Sequence, residues 1–461
     1  MSRLALRGVR PEPGAAIALG GVVAVTAYVT SLLWAADRLT YDGWFPLLAL
    51  PVLAVAGTLV LHRWTAYLHD RWLFQVAVLA LVLKLMCGVL RYLMAYVLYD
   101  GSDAGYYYTF GVEAYQEYRY LDFSRELPHG GIPGTGFVAA VTAMLYTVTG
   151  PTMTGGFVVF AFIGFWGQWL AFLAFRRAVP DGHHRRYALL VFFLPTLVFW
   201  PSALGKDAWM QMAIGLALFG ASFFAVRQHR VRGLVLLAGG LLLAGLVRPH
   251  VAAFVALGVI GGLALLRPAR RTSMTPVLTV VGTVVLGAAA VWAATRGATF
   301  VGAESLSLSD LESAADRAGG RGASGGSEFT PVPLLSPLGP AAALLTVLYR
   351  PLPFDAHNVQ ALLAAAEGTF LLWLTWCWRW SLLTALRRSR TAMYTTACLI
   401  AVVLFVAAFS EFANFGILAR QRAQFMPMFL ALLCLPSMRG NSLDPRTALA
   451  LARPRVPGRT T

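Results

Sequence analysis

The chain has 461 residues, of which 58% are hydrophobic and only 13% charged, and its mean hydropathy is +0.66. Soluble domains carry roughly 25% charged residues, so this composition excludes a water-exposed globular protein and implies a polytopic membrane protein. The net charge of +16 argues for no nucleic-acid partner, because the basic residues form short clusters between apolar runs and no basic face with interleaved aromatics occurs.

In chain order, the basic segment 1–10 precedes a long apolar run, which predicts an uncleaved first helix entering from the cytoplasm. Apolar runs that reach or approach the ~20 residues needed to cross a hydrocarbon core lie at 15–36, 44–61, 73–98, 155–175, 188–199, 209–226, 234–246, 252–266, 277–294, 362–377, 397–409 and 425–435. The fold class is therefore all-α: a single transmembrane bundle over 1–461 with about twelve spans. Alternation from a cytoplasmic start puts Arg176, Arg177, Arg185 and Arg186 inside. The same holds for Arg227, Arg230 and Arg232, for Arg267, Arg270 and Arg271, for Arg387, Arg388 and Arg390, and for the tail at 437–461. This is the positive-inside pattern. The apolar segment 134–149 would invert that order as a full span, so it is expected to be re-entrant or interfacial. Two long external loops result, at 99–132 and 295–359, the second with a flexible Gly/Ser-rich stretch at 318–327. No internal repeat is evident, which disfavours transporters built from inverted halves. The four cysteines, Cys87, Cys377, Cys398 and Cys434, sit in apolar runs and read as small hydrophobes. Lysine occurs only twice, at Lys84 and Lys206.

Four groups of residues suit chemistry at the external face. In the first loop, Asp100 and Asp103 lie three residues apart before Tyr106, Tyr107 and Tyr108. One carboxylate can take a proton from a sugar hydroxyl, and the pair can hold a divalent cation such as Mg or Mn. The tyrosines, Tyr107 among them, suit a sugar ring or an interfacial aromatic belt. Next, Lys206-Asp207 sits between two apolar runs after Pro201 and Gly205; it is either a phosphate ligand with its partner or a salt bridge at a helix start. Third, Arg248-Pro249-His250, Arg350-Pro351 and Arg420-Gln421-Arg422 all fall on the side that the positive-inside rule disfavours. Snorkelling to lipid headgroups is one explanation, and bidentate binding of a phosphate or diphosphate is the other. Last, Glu367 and Glu411 are nearly intramembrane acids, expected to pair with an external arginine in support of the site.

Acids, a lysine and several arginines on one face suit a membrane-bound anionic substrate. At these residues the chain resembles the bacterial polytopic glycosyltransferases of the GT-C superfamily, through Asp103 with Asp100 in the first long external loop and through the many-helix layout. It is also similar to membrane proteins of bacterial polysaccharide clusters, through Phe199-Trp200-Pro201-Ser202 with Gly205-Lys206-Asp207, Arg350-Pro351 and Arg420-Gln421-Arg422. The resemblance implies a protein of the bacterial cytoplasmic membrane, working on the extracytoplasmic face. It implies a polyprenyl-phosphate-linked sugar as donor, a glycan or lipid acceptor, and Asp103 as catalytic base. The pattern departs from that group in placing three predicted spans before the acidic loop and in lacking a large soluble C-terminal domain. A polysaccharide polymerase and a flippase of lipid-linked sugar are the alternatives.

Overall fold

A computed structural model describes residues 13–98, 101–128, 131–265, 329, 332, 336–356, 359–410, 412 and 414–437. All regular structure among them is helical, with no strand, as a backbone placed in lipid requires when every amide must be satisfied within its own segment. The helices are α1 (Pro13–Arg38), α2 (Tyr41–Leu68), α3 (Arg71–Leu93, continued by a π-turn over Met94–Leu98), α4 (Ala104–Arg119), α5 (Thr135–Thr149) and α6 (Met153–Ala178). They are followed by α7 (His184–Phe193), α8 (Pro195–Phe199) with a 3-10 turn over Trp200–Ser202, α9 (Lys206–Ala225), α10 (Arg230–Gly245) and α11 (Pro249–Ala264). After residue 265 come α12 (Gly339–Tyr349), α13 (Val359–Cys377), α14 (Arg379–Arg388), α15 (Met393–Phe409) and α16 (Phe415–Leu433).

Four of these, α2, α3 with its π-turn, α6 and α9, are long and apolar enough to cross a membrane, and the bent pair α13–α14 makes a fifth if counted as one span. Shorter apolar helices are α5, α11, α12 and α15. The predicted run at 277–294, the Gly/Ser-rich stretch and nearly all of the C-terminal tail lie outside the described residues. Both expected external loops contain helix. The first carries α4, and the described part of the second carries the apolar α12, which packs on α15 with Ala343 and Val347 buried. The 134–149 segment is α5, packed along α4, where Gly111 leaves room for the Tyr146 ring and Thr142.

The centre of the bundle is α6 against α9, with α10 on the other side of α9. Small residues set these distances: a Cβ on Gly167 would collide with the backbone of Gln211, and one on Gly240 with the backbone of Ala217. Backbone approach through small residues is how helices bind one another where lipid removes the hydrophobic drive.

The predicted span 188–199 is broken. Leu194 is extended, Pro195 starts α8, and a 3-10 turn follows. Proline explains the break and the donors around it. In a continuous helix the carbonyl of Val191 would accept from residue 195 and that of Leu197 from residue 201, but both are prolines without an N–H. Side chains from other helices supply those donors. Gln168 Nε2 donates to Val191 O at 2.8 Å and to Leu197 O at 3.2 Å. Lys84 Nζ donates to Leu197 O at 2.6 Å and Val198 O at 3.2 Å, and Gln211 Nε2 reaches Leu197 O at 3.2 Å. Lys84 and Gln211 are themselves joined at 3.0 Å.

Charge separates to the two ends of the bundle. At one end Arg176 pairs with Asp70 at 3.3 Å and Arg388 with Asp181 at 2.6 Å. There Arg177 and Arg232 share the Phe223 ring, and Arg185 lies over Trp72. Three of the predicted basic clusters thus gather at that end. The residues of the next subsection gather at the other, a helix length of roughly 35 Å along α3 away.

Replacing Gln168 with Leu leaves the Val191 carbonyl without its donor, at an expected cost of about 1–3 kcal/mol. The thermal unfolding midpoint of the purified protein in detergent should fall accordingly. An unchanged midpoint would show that this bond adds no stability.

Candidate functional site

At the end opposite the basic clusters, four side chains from four segments form one chain of alternating charge. Asp103 stands at the start of α4, and its Oδ2 accepts from Arg420 Nη1 of α16 at 3.0 Å. Arg420 turns its Nε onto Asp207 Oδ2, in the first turn of α9. Asp207 Oδ1 then accepts from Arg248 Nη1, just before α11, at 2.8 Å. The chain runs from surface to interior: the Asp103 side chain is 62% exposed, that of Arg420 30%, and those of Asp207 and Arg248 7% each. Among the described residues no group is bonded to Asp103 Oδ1, which leaves that oxygen for a ligand.

The local sequence explains each placement. Pro201 and the following turn end the broken helix, so that Lys206 and Asp207 open α9 on the site side. A carboxylate in the first turn of a helix is favoured by the helix dipole. Gly205 lies beside Tyr107, whose Cε2 would be in ordinary van der Waals contact, at 3.4 Å, with a Cβ there. Pro249 at the first turn of α11 holds Arg248 just outside the helix.

Lys206 and Tyr107 border this chain. The Lys206 ammonium feels the charges of Asp103, Asp207, Arg248 and Arg420, yet it makes no hydrogen bond or ion pair with any described residue. Tyr107 is buried. Burial, and then the negative charge of Asp103, raise its phenol well above the usual value, so it remains a donor at neutral pH.

One member was not picked out from the sequence. Arg91, in the last turn of α3, reaches toward the same place: its guanidinium lies 4.5 Å from the centroid of the Phe199 ring and 5.1 Å from that of Trp200. It feels the charges of Arg420, Asp207 and Asp103. Its signal was present, since an arginine in the half of an apolar run away from the basic clusters runs against the charge pattern expected from the sequence, as Arg248 and Arg420 do.

The remaining predicted residues separate from this cluster. Arg422 was expected to grip phosphate beside Arg420, but residues two apart on a helix point to different faces. Arg422 is 1% exposed and donates to the backbone carbonyls of Val347, at 3.2 Å, and Arg350. Arg350, expected to bind substrate, is committed to Asp355 through two bonds of 3.0 and 2.6 Å and lies against the Phe329 and Phe415 rings. Glu367 was expected to pair with an external arginine. Its Oε2 instead accepts from Thr196 N at 2.9 Å; Arg422 is close enough to act on its charge but not within bonding distance. The reason is again the broken helix, whose freed amide at Thr196 offers the nearer donor. His250 lies among aromatic rings, with Phe254 at 6.2 Å and Phe409 at 6.0 Å between centroids. Asp100 and Glu411 lie outside the described residues. No group of three or more His, Cys, Asp or Glu suited to a metal occurs among the described residues.

Chemically, the arrangement has four cations, Arg91, Lys206, Arg248 and Arg420, around two carboxylates, Asp103 and Asp207. Arg248 is spent on Asp207. Arg91 and Lys206 hold no carboxylate, and Arg420 shares its donors. Such a surplus of positive charge at a bundle end is suited to an anion. Comparison with protein-family models, with curated proteins and with solved structures finds no match.

Replacing Asp207 with Asn strands Arg248 in the interior, and breaking a buried pair costs about 3–5 kcal/mol. Arg248→Met should cost a similar amount, whereas the double variant should recover much of the loss. Thermal unfolding of the four proteins measures this, and additive losses would show that the two residues are not coupled.

Proposed function

We propose that this protein is a membrane glycosyltransferase of the GT-C kind, transferring a sugar from a polyprenyl-phosphate donor to an extracytoplasmic glycan or lipid acceptor. The observation that carries the reading is the surplus of cations at one end of the bundle, opposite the basic clusters. If those clusters mark the cytoplasmic side, the cation surplus lies at the outer interface of a bacterial cytoplasmic membrane. A lipid phosphate rests at that depth, with its tail among the helices. The twelve-span arrangement belongs to the same reading, with the shorter apolar helices and the 277–294 run completing the count.

In the proposed reaction Asp103 takes the proton from an acceptor hydroxyl through its open oxygen. The hydroxyl oxygen attacks the anomeric carbon, and the bond from that carbon to the phosphate oxygen breaks with its electron pair leaving on the phosphate. Charge therefore grows on the phosphate as the bond breaks. Donors fixed in place before the reaction are most effective at that point, and Arg420 and Lys206 are the candidates. Tyr107 can donate from its protonated phenol. Asp207 and Arg248 hold Arg420 in place from behind. A divalent cation on Asp100 and Asp103 remains part of the proposal.

A flippase would need charged groups along a path through the membrane. The buried charges away from the site, Lys84, Arg422 and Glu367, are instead bonded to backbone groups. That favours the enzyme.

Transfer from radiolabelled polyprenyl-phosphate sugars to a crude glycan acceptor, resolved by thin-layer chromatography, tests the reading. Asp103→Ala should abolish transfer while leaving the unfolding midpoint within a few degrees, because its side chain is largely exposed. Arg420→Ala should reduce transfer by about 100-fold or more. Arg422→Ala should instead lower the midpoint first. Full transfer by Asp103→Ala would remove it as the base.

A further inference from the structure

We infer that Arg91 is a second phosphate-binding arm of this site, and that the site binds a lipid-linked diphosphate sugar more tightly than the monophosphate-linked form. The inference rests on the reading of the cluster as a lipid-phosphate site.

Arg91 projects from a membrane-crossing helix, where an arginine needs a partner or a task. Its Nε is fully buried and without a hydrogen-bond partner among the described residues. None of its nitrogens is bonded to a carboxylate there; its contacts are the faces of Phe199 and Trp200. Those rings hold the guanidinium plane in place while using none of its donors. The charges that act on it include Arg420, which repels it, and Asp207 and Asp103, which attract it without bonding it. A fixed, unspent guanidinium beside a second one is poorly satisfied without an anion between or beside them.

The charge balance selects the anion. Four cations meet two carboxylates, an excess of two positive charges. A sugar joined to lipid through one phosphate is a diester with one negative charge, and a diphosphate linkage carries two. The arms are also placed for two groups. Arg420 bonds the exposed Asp103, whose charge also acts on Lys206, while Arg91 comes from α3 against the Phe199 and Trp200 rings. One phosphate can meet the first pair and the second phosphate can meet Arg91.

The test compares binding of farnesyl-phosphate-glucose and farnesyl-diphosphate-glucose to the purified full chain in detergent, without acceptor. The parent should bind the diphosphate at least about tenfold more tightly, the gain expected of one further charge-assisted contact. Arg91→Gln should bring the diphosphate to the level of the monophosphate and leave monophosphate binding within about twofold. Arg91→Lys keeps the charge but loses the two-pronged donor, so it should retain only part of the preference; it also serves if Arg91→Gln does not fold. Equal binding of both lipids by the parent would overturn the inference. So would a parallel loss for both lipids in Arg91→Gln, or inorganic diphosphate competing as strongly as the lipid form. The enzyme reading fails separately: a diphosphate preference without transfer from any donor removes the transferase and keeps the site. Transfer by a parent that binds both lipids equally does the reverse.

Discussion

Two prolines impose the constraint on which the described bundle turns. Pro195 and Pro201 deprive the carbonyls of Val191 and Leu197 of their helical donors in a region without water to replace them. Gln168, Lys84 and Gln211 supply those donors from α6, α3 and α9. The same contacts tie the three helices together, so satisfying the backbone and assembling the bundle are one event. The broken stretch also decides where the chain re-enters a helix, and that re-entry begins with Lys206 and Asp207.

Asp207 is the hub of the site. A carboxylate buried to this degree is tolerable only when its charge is met, and two guanidiniums meet it from opposite oxygens. Arg248 is the fixed partner. Arg420 also reaches the exposed Asp103, so a ligand anion that draws on Arg420 competes chiefly with the outer carboxylate. The inner pair stays intact and keeps Arg420 aimed. An arrangement of this kind is fixed on its inner side and more exposed on its outer side, which suits the reaction proposed above, whose charge appears only as a bond breaks.

Arg420 and Arg422 divide two tasks across one helix. The first faces the cluster, and the second joins α16 to the carbonyls at the end of α12. Arg350, at that end, is held by Asp355 and by aromatic rings on both Phe329 and Phe415. Three arginines with the same local signature therefore divide between the charge cluster and two structural contacts.

The membrane class, the helical fold and the segregation of the basic clusters were legible in the sequence, because apolar length and charge sign act through solvation and need no knowledge of neighbours. Asp103, Lys206, Asp207, Arg248 and Arg420 were legible for the same reason, as charges where lipid disfavours them. Arg91 carried that signal too but was hidden within a run read as span. Which of these charges meet was decided only by tertiary structure. Arg422 and Arg350 bear the same local signature as Arg420, yet helix phase and a nearby Asp355 turn them away from the cluster. Glu367 meets a freed backbone amide that exists only because a helix breaks beside it. Solvation is a property of a segment, whereas pairing depends on the three-dimensional path that brings segments together, and a linear chain does not carry that path in any single stretch.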